Sequence, residues 1–186
     1  MAQLSLTQMI SALWFAELPR TFKVWAVLDA ARDRRIYSAV MSTYTDHCCL
    51  HSGELPPELK LAAPYLVALN SEDRVTRNIL KDAWGNSWGI FLRSDANMET
   101  LRRHLKKFLL VKDPKGKRLI FRYYDPRVLR VYLPTCWPEE LDTFFGPIKA
   151  YMVEGEELAS VVRFRFDGVR LIESSVRLSS EAVHAG

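Results

Sequence analysis

The sequence predicts an α/β fold: a mixed β-sheet flanked by helices in one compact domain, with a C-terminal hairpin. Three observations carry that prediction. Apolar runs of strand length recur at residues 22–28, 64–69 and 88–92. Between them lie stretches whose apolar residues return at helical spacing, an alternation expected of helices packed on a sheet. Late in the chain, Asp167-Gly168 separates strand-like runs at 161–166 and 169–172, the strongest short hairpin signal present.

The elements follow in order. Leu6, Met9, Ile10, Leu13 and Trp14 mark one face of a helix over 4–18, ended by Pro19. The run 22–28, broken only by Lys23, reads as a central strand buried on both faces, with Asp29 at its C-terminal end. Residues 36–41 suit a short helix and 48–51 a short strand. A turn region through Gly53, Pro56 and Pro57 leads to the strand at 64–69. Ser71 is placed to cap a helix running to Trp84, with Gly85 as its stop. Residues 88–92 form the next strand.

A helix begins near Asp95, with Met98, Leu101, Leu105 and Phe108 inward and Arg102, Arg103, Lys106 and Lys107 outward. Asp113-Pro114-Lys115-Gly116 joins runs at 109–112 and 117–124 into a hairpin. Pro138 opens a helix that Gly146 stops.

The chain has 186 residues, 48% hydrophobic and 26% charged, an ordinary globular balance. Its net charge of +4 permits an acidic partner without demanding nucleic acid. Three cysteines, two of them adjacent, argue against a disulfide framework and for a reducing compartment. No Lys or Arg precedes Arg20 and Glu17 interrupts the first apolar stretch, so no secretory signal is expected. No run reaches the roughly 20 apolar residues of a membrane span. A cytoplasmic protein without stable membrane insertion is the expectation.

Few motifs point to chemistry. His47-Cys48-Cys49-Leu50-His51 has the composition of a zinc site. Adjacent cysteines on a strand face opposite ways, however, and packing is the favoured reading. The chain has no Gly-x-Gly-x-x-Gly and no Gly-Lys-Ser/Thr. His104 is expected on the surface and Cys136 as a small buried hydrophobe. Asp29 is read as capping a turn. Trp84-Gly85-Asn86-Ser87-Trp88-Gly89 reads as a tight turn with its indoles on the core. The basic face of Arg102, Arg103, Lys106 and Lys107, with Arg163 and Arg165 on a late strand, supports a solvated face, an acidic protein partner or a nucleic acid. The segment Arg122-Tyr123-Tyr124-Asp125-Pro126-Arg127 places an acid and arginines at the end of a strand that Pro126 terminates. With no base or metal set beside it, ending the central strand and pairing Arg122 or Arg127 locally is its expected role.

The order of several motifs is familiar as a set: Trp25-Ala26-Val27-Leu28-Asp29-Ala30-Ala31-Arg32, then Ala63-Pro64-Tyr65-Leu66-Val67, then Trp84 through Ser94. Leu101-Arg102-Arg103-His104-Leu105, Phe121 through Leu129, and Phe144-Phe145-Gly146-Pro147 complete it. Over roughly residues 22–150 the chain resembles the effector-chaperone (adaptor) family of bacterial type VI secretion, long catalogued as a domain of unknown function. The resemblance implies a non-enzymatic protein without a cofactor. Such a protein binds one toxic effector in the producing cell and helps load it onto the secretion spike. The implied partners are the cognate toxin, the valine–glycine-repeat spike tip or its cone protein, and a co-chaperone, with no nucleic acid. On that reading residues 1–150 form the effector-chaperone domain, 151–178 a hairpin extension of it and 179–186 a flexible tail. Longer members carry a C-terminal helical lobe, from which this chain departs. Expected effector contacts are therefore Arg102, Arg103, Lys106 and Lys107 as a rim, with Phe164 and Phe166 as anchors on an exposed sheet edge. Asp29, Arg122, Asp125, Pro126 and Arg127 are expected to be scaffold. The alternatives are a small hydrolase using Asp29 or Asp125, and a weakly basic nucleic-acid-binding module.

Overall fold

The computed structural model describes residues 4–113, 115–157 and 159–179. One sheet of seven strands has the order β2 (His47–Cys49), β3 (Pro64–Leu69), β1 (Lys23–Asp29), β4 (Gly89–Ser94), β7 (Ala150–Glu154), β8 (Ser160–Phe166) and β9 (Leu171–Arg177). A separate two-stranded hairpin contains β5 (Leu110–Lys112) and β6 (Arg118–Ile120). The helices are α1 (Leu6–Leu13), α2 (Arg34–Met41), α3 (Pro57–Lys60), α4 (Arg74–Ala83), α5 (Met98–Lys106), α6 (Pro126–Tyr132) and α7 (Pro138–Phe145). A 3-10 turn at Leu133–Thr135 links the last two.

The α/β class stands, and the sheet is antiparallel throughout where mixed pairing was expected. Alternating strands and helices suggested adjacent parallel strands. Instead each helical crossover steps over an antiparallel strand. The α2 connection joins β1 to β2 with β3 between them, and the α4 connection joins β3 to β4 with β1 between them. These are two interlocked split βαβ units.

Both faces of the sheet are covered. Val24, Ala26 and Leu28 of β1 face a core shared with α1, α2 and α4, while Trp25 and Val27 face one shared with α5, α6 and α7. That two-sided burial is why β1 and β4 read as continuous apolar runs rather than alternating ones. On the second face, rings pack in tilted and edge-to-face pairs: Phe108 to Phe144 at 4.8 Å, Phe121 to Tyr132 at 4.7 Å and Phe144 to Tyr151 at 5.1 Å between centroids. Each fully buried large apolar side chain contributes roughly 1.5–3 kcal/mol.

Helix starts are set by acids and an amide. Asp33, Asp73, Asn97 and Asp125 each accept a backbone N–H at 2.8–3.0 Å. The cap of α4 is thus Asp73 rather than Ser71, because Asn70 and Ser71 belong to the preceding turn. The N-terminal helix stops at Leu13, short of Pro19. The strand expected over 117–124 is only β6, and it lies in the small hairpin rather than at the centre of the sheet. β7 and α6 lie outside the elements expected from sequence. Of the expected tail, all but Ser179 lies outside the described residues.

Candidate functional site

Four separate segments converge at one end of the sheet. Asp29 closes β1, the 85–88 turn precedes β4, residues 122–125 lead from β6 into α6, and Glu154 closes β7. The Asp29 N–H donates to the Trp88 carbonyl at 2.8 Å. Glu154, 6% exposed, accepts from the Gly85 N–H at 2.7 Å and the Ser87 hydroxyl at 2.8 Å. The turn needs that support because Gly85 and Ser87 both have left-handed backbone, at φ 80° and 52°. Ser87 is the non-glycine residue that adopts it, at a steric cost.

The acids here are engaged. One Asp29 oxygen accepts the Ala31 N–H at 3.2 Å, as the turn-capping reading expected, and the other accepts from Arg122. Arg122 therefore bridges to a residue far away in sequence rather than pairing locally. Asp125 caps α6 through the Arg127 N–H at 3.0 Å and takes the Arg127 guanidinium at 2.9 and 2.6 Å. Pro126 sits at the first helical position, where a missing N–H costs nothing. Burial pushes the Asp125 carboxyl up, but the Arg127 side-chain and backbone bonds and the charges of Arg127 and Arg122 outweigh it. The net effect holds it below the ordinary carboxylate value. Tyr123 and Tyr124 are buried, and the Tyr123 hydroxyl donates to the Leu105 carbonyl at 3.0 Å.

Beside the Asp29–Arg122 pair opens a cavity of about 490 Å³, lined mainly by apolar groups including Leu55, Leu59, Ile120 and Tyr124, with His51 at its wall. Ile120 continues it onto the hairpin. There Leu110 pairs with Ile120, and Val111 with Leu119. Adjacent residues of a strand face opposite ways, so the hairpin carries apolar side chains on both faces. All four are exposed, by 58%, 65%, 39% and 41%. Leu59 and Leu61 add exposed apolar surface next to the cavity. Lys107, Lys112, Lys115, Lys117 and Arg118 surround the hairpin as exposed cations. The one acid in its turn, Asp113, accepts the Lys115 and Lys117 N–H groups.

The expected contact residues are placed differently. Arg102 is a strut: its guanidinium donates to the Cys49 and His51 carbonyls, both at 2.9 Å. Arg103 and Lys107 are exposed and Lys106 partly so. Phe164 is 1% exposed and lies in the core, and Phe166 packs against the same core. Their strand, β8, is paired on both sides, so neither ring stands on a free edge. That expectation is corrected: the face of the late hairpin carrying these rings is covered by α7.

His104 is buried rather than on the surface, with Nε2 2.9 Å from the Phe144 carbonyl. Burial lowers its pKa, and the nearby Lys107 adds to the effect. Arg163 donates to the Ala12 carbonyl and lies 4.3 Å over the Phe15 ring, so it does not extend a basic face. Cys48 packs against one core and Cys49 against the other, as adjacent strand residues must. Burial pushes the Cys48 thiol up to about 11 and raises Cys49 as well. Among the described residues no group of three or more His, Cys, Asp or Glu is arranged to hold a metal ion. Among the same residues no helix is long and apolar enough to cross a membrane.

The apolar hairpin is not among the expected contact surfaces, although a hairpin at this place and its first strand were expected. The signal was present: Leu110-Val111 opposite Leu119-Ile120 puts apolar residues on both faces of a two-stranded ribbon, and nothing in the sequence was assigned to cover them.

No curated protein and no solved structure matches the chain. A family model described as a domain of unknown function (DUF4123) matches residues 24–143. That span runs from β1 into α7 and holds Asp29, the 85–88 turn, the residues from Arg122 to Arg127 and the exposed hairpin. Matched over well above half of its length, the chain belongs to the DUF4123 family.

Proposed function

We propose that this protein is an effector chaperone of bacterial type VI secretion. It acts in the cytoplasm of the producing cell, holds one toxin by a protein–protein surface and passes it to the spike without chemical turnover. The motif order described above supports the secretion role. The observation that carries the binding role is the β5–β6 hairpin, solvent-exposed on both faces with apolar side chains on each. An isolated two-stranded hairpin is marginal in water, and exposed contiguous apolar surface marks an interaction site. The surrounding cations, Lys107, Lys112, Lys115, Lys117 and Arg118, suit an acidic rim on the client. The same cations disfavour self-association at this surface by like-charge repulsion.

One observation favours a second reading, a hydrolase: Asp29 and His51 line the same cavity. Against it, both Asp29 oxygens are already engaged, by the Ala31 N–H and by Arg122.

Co-expression with the effector encoded beside this gene tests the proposal. A stable complex and a more soluble effector are expected. Failure to co-purify with every adjacent effector and spike protein overturns it. Hydrolytic turnover abolished by His51→Ala would support the second reading instead.

A further inference from the structure

We infer that two copies of this chain pair through the outer edge of β9, joining their seven-stranded sheets into one continuous sheet. The geometry of β9 leads to this independently of the client surface. The Asp167 N–H donates to the Arg170 carbonyl at 3.3 Å, and the Leu178 N–H to the Ala159 carbonyl at 2.6 Å. Between these two bonds the β8–β9 register runs unbroken from Phe166↔Leu171 to Ser160↔Arg177. Hydrogen-bonded and non-hydrogen-bonded pairs alternate along an antiparallel ladder. Ile172, Ser174 and Val176 therefore turn their N–H and C=O groups toward β8. Leu171, Glu173, Ser175 and Arg177 turn theirs outward. Among the described residues no strand pairs with that edge.

The two sheet edges are unlike. β2 is three residues long, and Arg102 caps the carbonyls of Cys49 and His51 at its end. β9 is seven residues long, with no proline and no bulge, and Glu173, Ser174, Ser175 and Arg177 are exposed. A long regular edge is a template for another strand. Past it, Ser179 is held by the Ser5 N–H and by Gln8, so the free stretch ends at Arg177.

The side chains select the occupant. Glu173 and Arg177 stand on the same face, four residues and about 13 Å apart along the strand, too far to pair within one chain. Among the described residues neither has an ion-pair partner. In an antiparallel pairing about a two-fold axis through Ser175, Glu173 lies directly opposite the partner's Arg177, and the same contact repeats across the axis. Ser175 then faces the partner's Ser175, where two small side chains fit. The neighbouring symmetric registers are poorer. An axis at Glu173 sets like charges opposite each other, and one at Ser174 sets Leu171 against the partner's Arg177. Opposite charges directly across strands stabilise pairing and like charges oppose it. The interface is isologous, as a two-fold dimer requires.

Sedimentation velocity over a concentration series, together with hydrogen exchange, tests the proposal. The wild type should show a monomer–dimer equilibrium, with the Glu173, Ser175 and Arg177 amides slowing as dimer forms. The Ser174 and Val176 amides, already bonded to β8, should be slow at every concentration. E173R and R177E should each weaken association by roughly tenfold or more, and the double variant E173R/R177E should restore it. A wild type that stays monomeric throughout overturns the proposal. So do single variants that associate like the wild type, or a double variant that fails to recover while remaining folded. If those amides slow only when a client is added to monomeric protein, the edge receives a client strand and self-pairing is excluded.

Discussion

Asp125 shows how one residue can suggest chemistry from its neighbours yet serve the fold. Its carboxylate caps α6 and takes the half-exposed Arg127, so Asp125→Ala should cost about 1–2 kcal/mol of stability, mostly through the lost cap. Because its folded pKa lies below the ordinary 3.8, its contribution is present above about pH 4 and disappears as pH falls through the folded value. Urea midpoints at pH 5 and pH 2.5 should therefore differ less in Asp125→Ala than in the wild type. An equal or larger difference would refute the cap. His104 works in the opposite chemical sense. It is buried with its pKa lowered, so the unfolded chain takes up the proton first, and stability is full above pH 6.5 and declines below it. His104→Gln should flatten the decline between pH 7.5 and 5.5, provided the variant melts cooperatively. The sequence placed His104 on the basic face because only its neighbours were charged. Its burial depends on Phe144, 40 residues away, which no local spacing reveals.

At the scale of elements, the sequence was most legible where periodicity and caps agree. The sequence marks β3 to its limits and β1 and β4 within two residues, because largely apolar runs mark strands covered on both faces, and β8 within one residue because Asp167-Gly168 fixes its end. β7 was missed because Ala150-Tyr151-Met152-Val153 sits in a short run with no turn signal ahead of it except Gly146-Pro147. Strand pairing was not legible, since a helical crossover looks the same whether it joins adjacent strands or steps over one. The hairpin shows the difference between reading an element and reading its environment. Its strands and turn were visible, but the absence of a covering layer on either face is a tertiary property. Leu110→Ser with Ile120→Ser should change the unfolding free energy by no more than about 0.5 kcal/mol at each position, as expected of surface changes. On the proposed reading the same variant should lose most of its effector capture in pull-down. Unimpaired capture would move the client surface elsewhere.

At the scale of the molecule, the two ends of β1 do different jobs. One end joins Asp29, Arg122 and Tyr124 beneath the apolar cavity. The other carries a larger cavity of about 1050 Å³, bordered by Phe15, Pro19, Lys23 and Arg93. Its size makes it the obvious candidate for a ligand site, but its buried arginine is already fully engaged. Arg93, 2% exposed, donates to the carbonyls of Leu13, Phe15, Pro19 and Phe22 at 2.9–3.3 Å. Arg163 reaches the Ala12 carbonyl from β8, and both guanidiniums lie over the Phe15 ring. The carbonyls left open at the end of α1, and those of the loop after it, are thus satisfied by side chains from β4 and β8, which fasten the N-terminal helix across the sheet. Replacing Arg93 with Leu keeps apolar volume but leaves four carbonyls without this donor, at roughly 1–3 kcal/mol for each one that stays buried. Arg93→Leu should therefore lower global stability by several kcal/mol. In native-state hydrogen exchange, the α1 amides should open well before those of β1 and β4, whereas in the wild type they should open with them. If α1 still opens together with the core in Arg93→Leu, the clamp is not what holds the helix, and its Met9, Ala12 and Leu13 packing alone suffices.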